Sequence, residues 1–385
     1  MKNFSPPVFY YHSVAPERSP DWVLNGLTLK SSVFEDQLKY LESKGLRTIF
    51  LDEWLTFRQG EARPEGSEIC LTFDDGYLDN WVYAWPLAEK YGVRFTLFVS
   101  PECVDPRPVV RSTLKDVWNG KCREEDLETR GYLTWEELKQ MQASGVVDIQ
   151  SHTMSHAKYI SAPVMTGFYY GGFKGLHPIW NANPGIKPRY MADALFERRL
   201  PLGTPLFKES SAVIARKAVI SPEFMEEAAA VAAGFDLTDP ARRPAYEEAV
   251  VEVYKRYKME GKLCAGLESE EASRERVIYE VIDSKAIIEE NLLKPVQFLC
   301  WPHGDNSMEA HKIARSAGYL ATTSGKLTGE AREMDRIPRI PADFENSVWV
   351  SRQKFHFKIA SHYRRQPYYA VWMVNHLKNK MLKRS

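Results

Sequence analysis

The sequence predicts an α/β protein with a parallel sheet that is interrupted by a long segment of helical character. Short apolar runs typical of buried strands alternate with segments of helical periodicity over residues 8–160 and again over residues 274–341. Polar motifs follow directly after three of the predicted strands, which is where barrels and open α/β sheets place their active sites. Between residues 163 and 272 strand signals are almost absent, which indicates a helical unit.

The predicted elements follow one another in the strand–helix order of a parallel sheet. Strands are predicted over residues 8–11, 47–50, 68–73, 94–99, 146–150, 296–300 and 319–323. Helices are predicted over residues 32–44, 81–91, 134–143, 274–291 and 308–316. Thr134 and Glu137 have the spacing of a capping box, which places the start of the third helix.

Composition and cysteine usage favour a cytoplasmic enzyme. The 51 Lys and Arg residues balance the 51 Asp and Glu residues, so the net charge is zero. Because no net positive charge attracts nucleic acid, nucleic acid is not expected as a partner. The five cysteines include no Cys-x-x-Cys pair, which is typical of reduced thiols in the cytosol. No apolar segment suits a secretory signal, and none reaches the ~18 residues of a membrane span.

The first polar motif places two adjacent carboxylates at a predicted strand end. Residues 71–76 read Leu-Thr-Phe-Asp-Asp-Gly. Adjacent side chains at a strand end point to different sides, so Asp74 and Asp75 need not share a role. One can bind a metal ion while the other accepts a proton from water. The alternative is an Asp-Gly turn in which one aspartate caps the next helix.

The second motif supplies two imidazoles. Residues 151–156 read Ser-His-Thr-Met-Ser-His, so His152 and His156 are four residues apart. That spacing brings both rings to one face of a helix, and a looser turn would also let them converge. Two imidazoles and one carboxylate form a common catalytic zinc set. Two ordinary histidines are the alternative, and the upstream Asp-Asp pair favours the metal site.

A third motif completes the pattern, since residues 298–304 read Phe-Leu-Cys-Trp-Pro-His-Gly after another predicted strand. In this order the three motifs resemble the polysaccharide deacetylase family, also called the NodB-homology or carbohydrate esterase 4 family. The nearest subgroup is the poly-N-acetylglucosamine deacetylase-like one. The resemblance covers residues 8–160 and 274–341. It implies a distorted (β/α)7-type barrel, with a helical insertion and a C-terminal helix.

The resemblance also implies roles for individual residues. Asp75, His152 and His156 match the family's metal ligands, and Asp74 matches its general base. Zn²⁺ is the expected ion, with Co²⁺, Ni²⁺, Mn²⁺ and Fe²⁺ as alternatives. The backbone N–H that binds the tetrahedral oxyanion would fall on His303.

The third motif departs from the family's Arg-x-Pro-Tyr-Gly form, because its Arg is missing and His replaces Tyr. The residue that orients Asp74 is therefore open. Arg336 and Arg339 are candidates, since a guanidinium can clamp a carboxylate with two hydrogen bonds. Surface charge beside a strand is the alternative for both.

The general acid is also open, because the chain has no clean match to the family's late histidine motif. His303 is a candidate because its ring lies beside the oxyanion segment. His12 is another, since Tyr11-His12 resembles the Tyr-His motif that opens the poly-N-acetylglucosamine-type subgroup. His177 and His311 are weaker candidates.

Four segments are predicted along the chain. They are the first part of the deacetylase barrel at 1–162, a helical insertion or cap at 163–272, the second part of the barrel at 273–350, and a helical tail at 351–385. The insertion is expected to set substrate choice, because its opening has rings that suit stacking on a sugar or base. Those rings equally suit packing of the insertion onto the barrel; they are Phe168, Tyr169, Tyr170, Phe173 and Trp180.

The tail has an apolar stripe at helical spacing and a basic end. Ala370, Val374, Leu377 and Met381 fall at i, i+4, i+7 and i+11. Such a helix can lie on an anionic membrane surface. The alternative, which the sequence favours, is a terminal helix docked on the barrel with its basic residues complementing the helix dipole.

These observations predict a metal-dependent hydrolase that removes an N-acetyl group from an amino sugar. A nucleotide- or lipid-linked sugar of surface-polysaccharide assembly is the expected substrate. Three alternatives stay open: a deformylase or deacetylase of a polyprenyl-linked amino sugar at the membrane face, an iron oxygenase with two histidines and one carboxylate, and a non-catalytic carbohydrate-binding relic.

Overall fold

The computed structural model describes residues 5–17, 25–171, 176–190, 200–342 and 347–382. The strands are β1 Val8–Tyr11, β2 Ser13–Ala15, β3 Thr28–Lys30, β4 Arg47–Thr48, β5 Glu68–Phe73, β6 Phe95–Val99, β7 Val147–Ser151, β8 Lys158–Phe168, β9 Pro205–Ser211, β10 Ala218–Ile220, β11 Cys264–Leu267, β12 Phe298–Leu299, β13 Ala321–Thr323, β14 Arg336–Ile337 and β15 Ile340–Pro341. The helices are α1 Ser31–Ser43, α2 Leu51–Gln59, α3 Trp85–Lys90, α4 Leu114–Trp118, α5 Trp135–Ala143, α6 Leu176–Ala182, α7 Lys187–Tyr190, α8 Pro222–Ala232, α9 Arg243–Met259, α10 Glu270–Ile278, α11 Ser284–Leu292, α12 Met308–Ser316, α13 Val348–His362 and α14 Tyr368–Leu382.

Parallel strands form one curled sheet at the centre of the molecule. Its order is β14-β13-β12-β7-β6-β5-β1-β15, and β4 adds to β5. The edge strands β14 and β15 are consecutive in the chain and only Pro338 and Arg339 separate them, so the two edges of the sheet meet at this point. The predicted distorted (β/α) barrel is therefore confirmed.

Most of the predicted barrel elements are present close to their predicted bounds. β1, β5 and α12 match the predictions residue for residue. The capping box at α5 is also present, since the Thr134 Oγ1 accepts from the Glu137 N–H and the Glu137 carboxylate accepts from the Thr134 N–H. The helix predicted over residues 81–91 differs, because it opens with a π-helical turn at Asn80–Ala84 before α3.

The prediction that the segment 163–272 is helical is only partly correct. Helices α8 and α9 pack together around a small apolar core that also includes Phe168 of β8 and Phe207 of β9. The segment also contains the antiparallel pairs β8–β9 and β10–β11. Strand β8 runs across the predicted boundary at 162/163. The division of the chain into segments stays a prediction.

The tail forms two helices, α13 and α14, rather than one. α13 packs against the barrel, where Phe355 contacts the rings of Phe9 and Tyr40. α14 packs on α13 through Tyr368. Of the predicted stripe, Ala370, Val374 and Leu377 are exposed, and the Met381 side chain lies outside the described part. In the portion of the chain that the structure describes, no helix is long and apolar enough to cross a bilayer.

Candidate active site

A left-handed turn at the end of β5 directs the two aspartates apart. Asp75 has φ +76° and Gly76 has φ +72°. Glycine is required at 76 because a Cβ there would lie 3.0 Å from Val99 Cγ1, in a backbone region that other residues rarely adopt. The Asp74 N–H continues the sheet by donating to the Tyr11 carbonyl at 3.0 Å. Both carboxylates are buried.

The two histidines lie in a loop after β7 and not on a helix. Thr153 and His156 both have left-handed backbone, with φ of +62° and +51°. The loop is held by Glu280, whose carboxylate accepts from the backbone N–H groups of Met154 and Ser155 at 3.1 and 3.0 Å. The sequence does not reveal this role of Glu280, because the residue lies more than 120 positions from the loop and belongs to no local motif.

Asp75, His152 and His156 converge on one point. Asp75 Oδ1 lies 3.1 Å from the Nε2 atoms of both imidazoles. His152 Nδ1 lies 2.9 Å from the Cys300 carbonyl, which can only accept, so Nδ1 is protonated and the Nε2 lone pair faces Asp75. Burial favours the neutral form of Asp75, but the adjacent rings of His156 and His152 outweigh burial and hold the pKa of Asp75 well below its ordinary value.

This donor set fits a divalent metal ion. Asp75 Oδ1 is buried and makes no hydrogen bond with any residue that the structure describes. The three ligand atoms lie within 4.8 Å of one another. In tetrahedral zinc sites, ligand atoms about 2 Å from the ion stand roughly 3.3 Å apart, close to the observed separations. Two imidazole nitrogens and one carboxylate oxygen also suit zinc chemically.

Asp74 is clamped by an arginine from the seam of the barrel. Arg339 donates from Nη1 to Asp74 Oδ1 at 2.6 Å and from Nη2 to Asp74 Oδ2 at 2.9 Å. The guanidinium lies over the ring of Tyr10, 4.7 Å from its centroid. Burial opposes ionisation of Asp74, but Arg339 and the nearby imidazoles outweigh it, so the pKa of Asp74 is below its ordinary value.

Cys300 lies below this pair and was not singled out from the sequence. Its thiol is 3.0 Å from Arg339 Nη2 and 3.7 Å from Asp74 Oδ1. Cys300 stands two residues before Pro302, at the place of the arginine in the Arg-x-Pro-Tyr-Gly form. Arg339 brings a guanidinium beside Cys300 and Asp74 from a distant part of the chain.

The two candidate acids face the same pocket from different sides. His12 Nε2 lies 3.9 Å from Asp74 Oδ2, and burial lowers the pKa of His12. His303 has left-handed backbone with φ +59°, and its ring centroid is 4.5 Å from that of His156 and 5.6 Å from that of His177. Burial also lowers the pKa of His303.

The pocket above these groups has a volume of about 730 Å³. All seven residues proposed for the site line it; they are His12, Asp74, Asp75, His152, His156, His303 and Arg339. The insertion contributes Leu176, His177 and Trp180 to its wall.

The other aromatic residues at the start of the insertion have varied positions. Phe168 and Tyr169 are buried in apolar clusters. Tyr170 lies under the guanidinium of Arg243, 4.3 Å from it. Phe173 lies outside the described residues.

Two other candidates from the sequence, His311 and Arg336, lie away from the pocket. His311 faces Thr322 and Asp335, each at 3.1 Å. Arg336 is fully buried and donates to Asn306 and Thr322. Neither lines the pocket around Asp74.

Comparison with known proteins identifies a domain within the chain. Residues 61–168 match the family model of polysaccharide deacetylase. The protein YxkH of Bacillus subtilis (strain 168), whose name assigns it to the polysaccharide deacetylases, is 27% identical over 150 residues, covering 39% of this chain and 43% of that protein. A poly-beta-1,6-N-acetyl-D-glucosamine N-deacetylase of Staphylococcus aureus (strain N315) is 25% identical over 153 residues, covering 39% of this chain and 43% of that protein. The resemblance stated from the motifs is confirmed, although the matches span under half of these relatives.

Solved structures confirm the fold. A de-N-acetylase from Aggregatibacter actinomycetemcomitans superposes with a TM-score of 0.52 at 14% identity, covering 91% of this chain and 98% of that one. The BpsB deacetylase domain from Bordetella bronchiseptica gives a TM-score of 0.50 at 15% identity, covering 88% and 96%.

We expect the purified chain to bind one divalent ion at Asp75, His152 and His156. His152→Ala combined with His156→Ala should abolish stoichiometric binding, because one carboxylate cannot hold the ion alone. Elemental analysis after gel filtration measures the number of metal ions bound per chain.

His311→Ala is the matched control, since His311 belongs to a second group of potential ligands with Glu333 and Asp335. Full metal content in the double variant would contradict the assignment. Metal loss in the control alone would place the ion in the second group.

Proposed function

We propose that this chain, which has a polysaccharide deacetylase domain at residues 61–168, is a metal-dependent hydrolase of amino sugars. It would add water across the N-acetyl amide and release acetate and a free amine. The strongest support is that one pocket contains both a set of metal-type ligands and a second carboxylate held by an arginine. Asp75 and two imidazoles form a metal-type donor set, and the adjacent Asp74 forms a clamped carboxylate.

The substrate class is supported by the relatives and by the pocket. The name of the staphylococcal relative describes deacetylation of poly-β-1,6-N-acetylglucosamine. We therefore propose an N-acetylated glucosamine unit as the group bound here. A nucleotide- or lipid-linked form of such a sugar remains our prediction for the carrier.

The ligand set would hold a zinc ion, which supplies Lewis acidity to activate water and to polarise the acetyl carbonyl. Asp74 is suited to take the proton released by the attacking water. Its pKa is held low by Arg339, so the carboxylate is ionised and available as a base. Arg339 fixes the orientation of the carboxylate through its two hydrogen bonds.

The oxyanion and the leaving amine need hydrogen-bond and proton donors. We assign the oxyanion contact to the backbone N–H of His303, because this residue has left-handed backbone and lines the pocket. For the leaving amine we favour His12. Its Nε2 is 3.9 Å from Asp74 Oδ2, so a small shift would pass the proton from the base to the imidazole and on to nitrogen as the C–N bond breaks.

In this proposal the insertion helps to determine which substrate the pocket binds. His177 and Trp180 line the pocket wall opposite the barrel residues, and Lys326 lines it from the loop after β13. A sugar ring bound at the metal would contact side chains from both the barrel and the insertion. Substrate preference would therefore depend on residues outside the matched domain.

The alternatives have weaker support. A clamped second carboxylate has no role in an iron oxygenase with two histidines and one carboxylate, and an intact base and ligand set argue against a non-catalytic relic. Deformylation or deacetylation of a polyprenyl-linked amino sugar stays open as a second candidate. The basic tail, which has no acidic residues, is the observation that favours it.

The proposed function is tested by acetate release from a panel of N-acetylglucosamine oligosaccharides and N-acetylated sugar nucleotides. We expect release from at least one member, loss after chelation, and recovery on addition of Zn²⁺. Formate release from an N-formylated analogue would favour the deformylase. No product from any member by the metal-loaded chain would refute the hydrolase proposal.

The acid assignment predicts a difference between two histidine variants. His12→Ala should lower kcat by ~10²–10⁴-fold, because the amine then leaves without a proton donor. His303→Ala should have a smaller effect, because the backbone N–H remains. Metal content and thermal stability are measured on both variants. A larger loss of kcat in His303→Ala than in His12→Ala, with metal retained, would mean that His303 is the general acid.

A further inference from the structure

We propose that the helix pair α13–α14 is a docking surface for an anionic lipid bilayer. We call this surface, formed by residues 347–382, the tail surface. The proposal goes beyond the hydrolase assignment, because none of its residues is a ligand, base or acid in that site.

The charge of the tail is segregated from the rest of the chain. Residues 347–385 contain nine Lys and Arg residues and no Asp or Glu, although the whole chain has 51 of each sign. Arg352 is paired with Asp36 of α1. Arg364, Arg365 and Lys378 are exposed. Clusters of basic residues of this kind are attracted to the negative surface potential of anionic lipids.

α14 has two different faces, and only one of them packs on α13. The aromatic face lies on α13, where the Tyr368 ring is 4.7 Å from that of His356 and 6.2 Å from that of Phe357. The predicted stripe lies on the opposite side of the helix. Val374 is 65% exposed and Leu377 is 52% exposed. The internal packing of α14 therefore does not account for the stripe, which has the pattern of an interfacial helix.

A pocket beside α14 extends the apolar surface. It has a volume of about 880 Å³ between the two helices and Ile340 of β15. Phe357, Tyr369 and Trp372 line it together with Lys354, Lys358 and Arg364. Apolar walls with cationic side chains suit a lipid headgroup and the upper part of its chains. Trp349, on the same face of α13 as Gln353, is 69% exposed, and tryptophan is favoured at membrane interfaces.

An anionic bilayer fits this surface better than a second copy of the chain. In a symmetric dimer the same patch faces itself, so two cationic surfaces without acidic residues would be opposed. A bilayer supplies the opposite charge and an apolar phase together. The surface is also close to the catalytic pocket, since Ile340 lines the tail pocket and its chain neighbour Arg339 clamps Asp74.

Vesicle flotation of the full chain tests the proposal. Wild-type protein should float with vesicles of phosphatidylcholine mixed with phosphatidylglycerol. It should float far less with phosphatidylcholine alone, and less with the mixed vesicles at high salt, because salt screens the attraction. Val374→Glu combined with Leu377→Glu should reduce the bound fraction by about tenfold or more.

Met259→Glu combined with Leu293→Glu is the matched control, because both side chains are highly exposed apolar residues outside the tail, at 82% and 91%. It adds the same charge and should float like wild type. Circular dichroism and thermal melting check that each variant is folded. Failure of wild type to float, equal flotation of both double variants, or a dimer lost only in the Val374/Leu377 variant would each overturn the proposal.

Discussion

The left-handed turn after β5 is the constraint on which the rest of the site depends. Two adjacent buried carboxylates would repel each other in a low-dielectric pocket if they faced the same way. With φ of +76° at Asp75, the chain directs one carboxylate toward two imidazoles and the other toward a guanidinium. Each negative charge thus has its own partners. The proposed division of roles between a metal ligand, Asp75, and a base, Asp74, rests on this geometry.

The partners of both carboxylates are brought by distant parts of the chain. Arg339 lies between the two edge strands β14 and β15, so clamping of Asp74 requires both edges of the sheet to be in place. The His152 ring is oriented by the Cys300 carbonyl, and its loop is held by Glu280. The site is therefore organised by the barrel as a whole, even though its motifs are short.

The sequence allowed the barrel and the central residues of the site to be predicted, because those signals are local. Strand β5 is a continuous apolar run that ends at Asp-Asp-Gly, and α12 has clear helical periodicity. The hairpin β8–β9 was missed because its pairing shifts register three times, and Pro163 and Gly167 interrupt any regular alternation. Cys300 and Glu280 could not be assigned, since their contacts depend on the closed fold. In the tail, the stripe was visible in the sequence, but which face of α14 packs on α13 was not.

The central claim is that the two adjacent aspartates have separate roles, and parallel measurement of two variants tests it most directly. Asp74→Asn and Asp75→Asn are compared for metal content and for acetate release. The geometry predicts that Asp74→Asn keeps the ion and loses ~10²–10⁴-fold in rate, while Asp75→Asn loses the ion. Loss of the ion from Asp74→Asn together with its retention by Asp75→Asn would contradict the account.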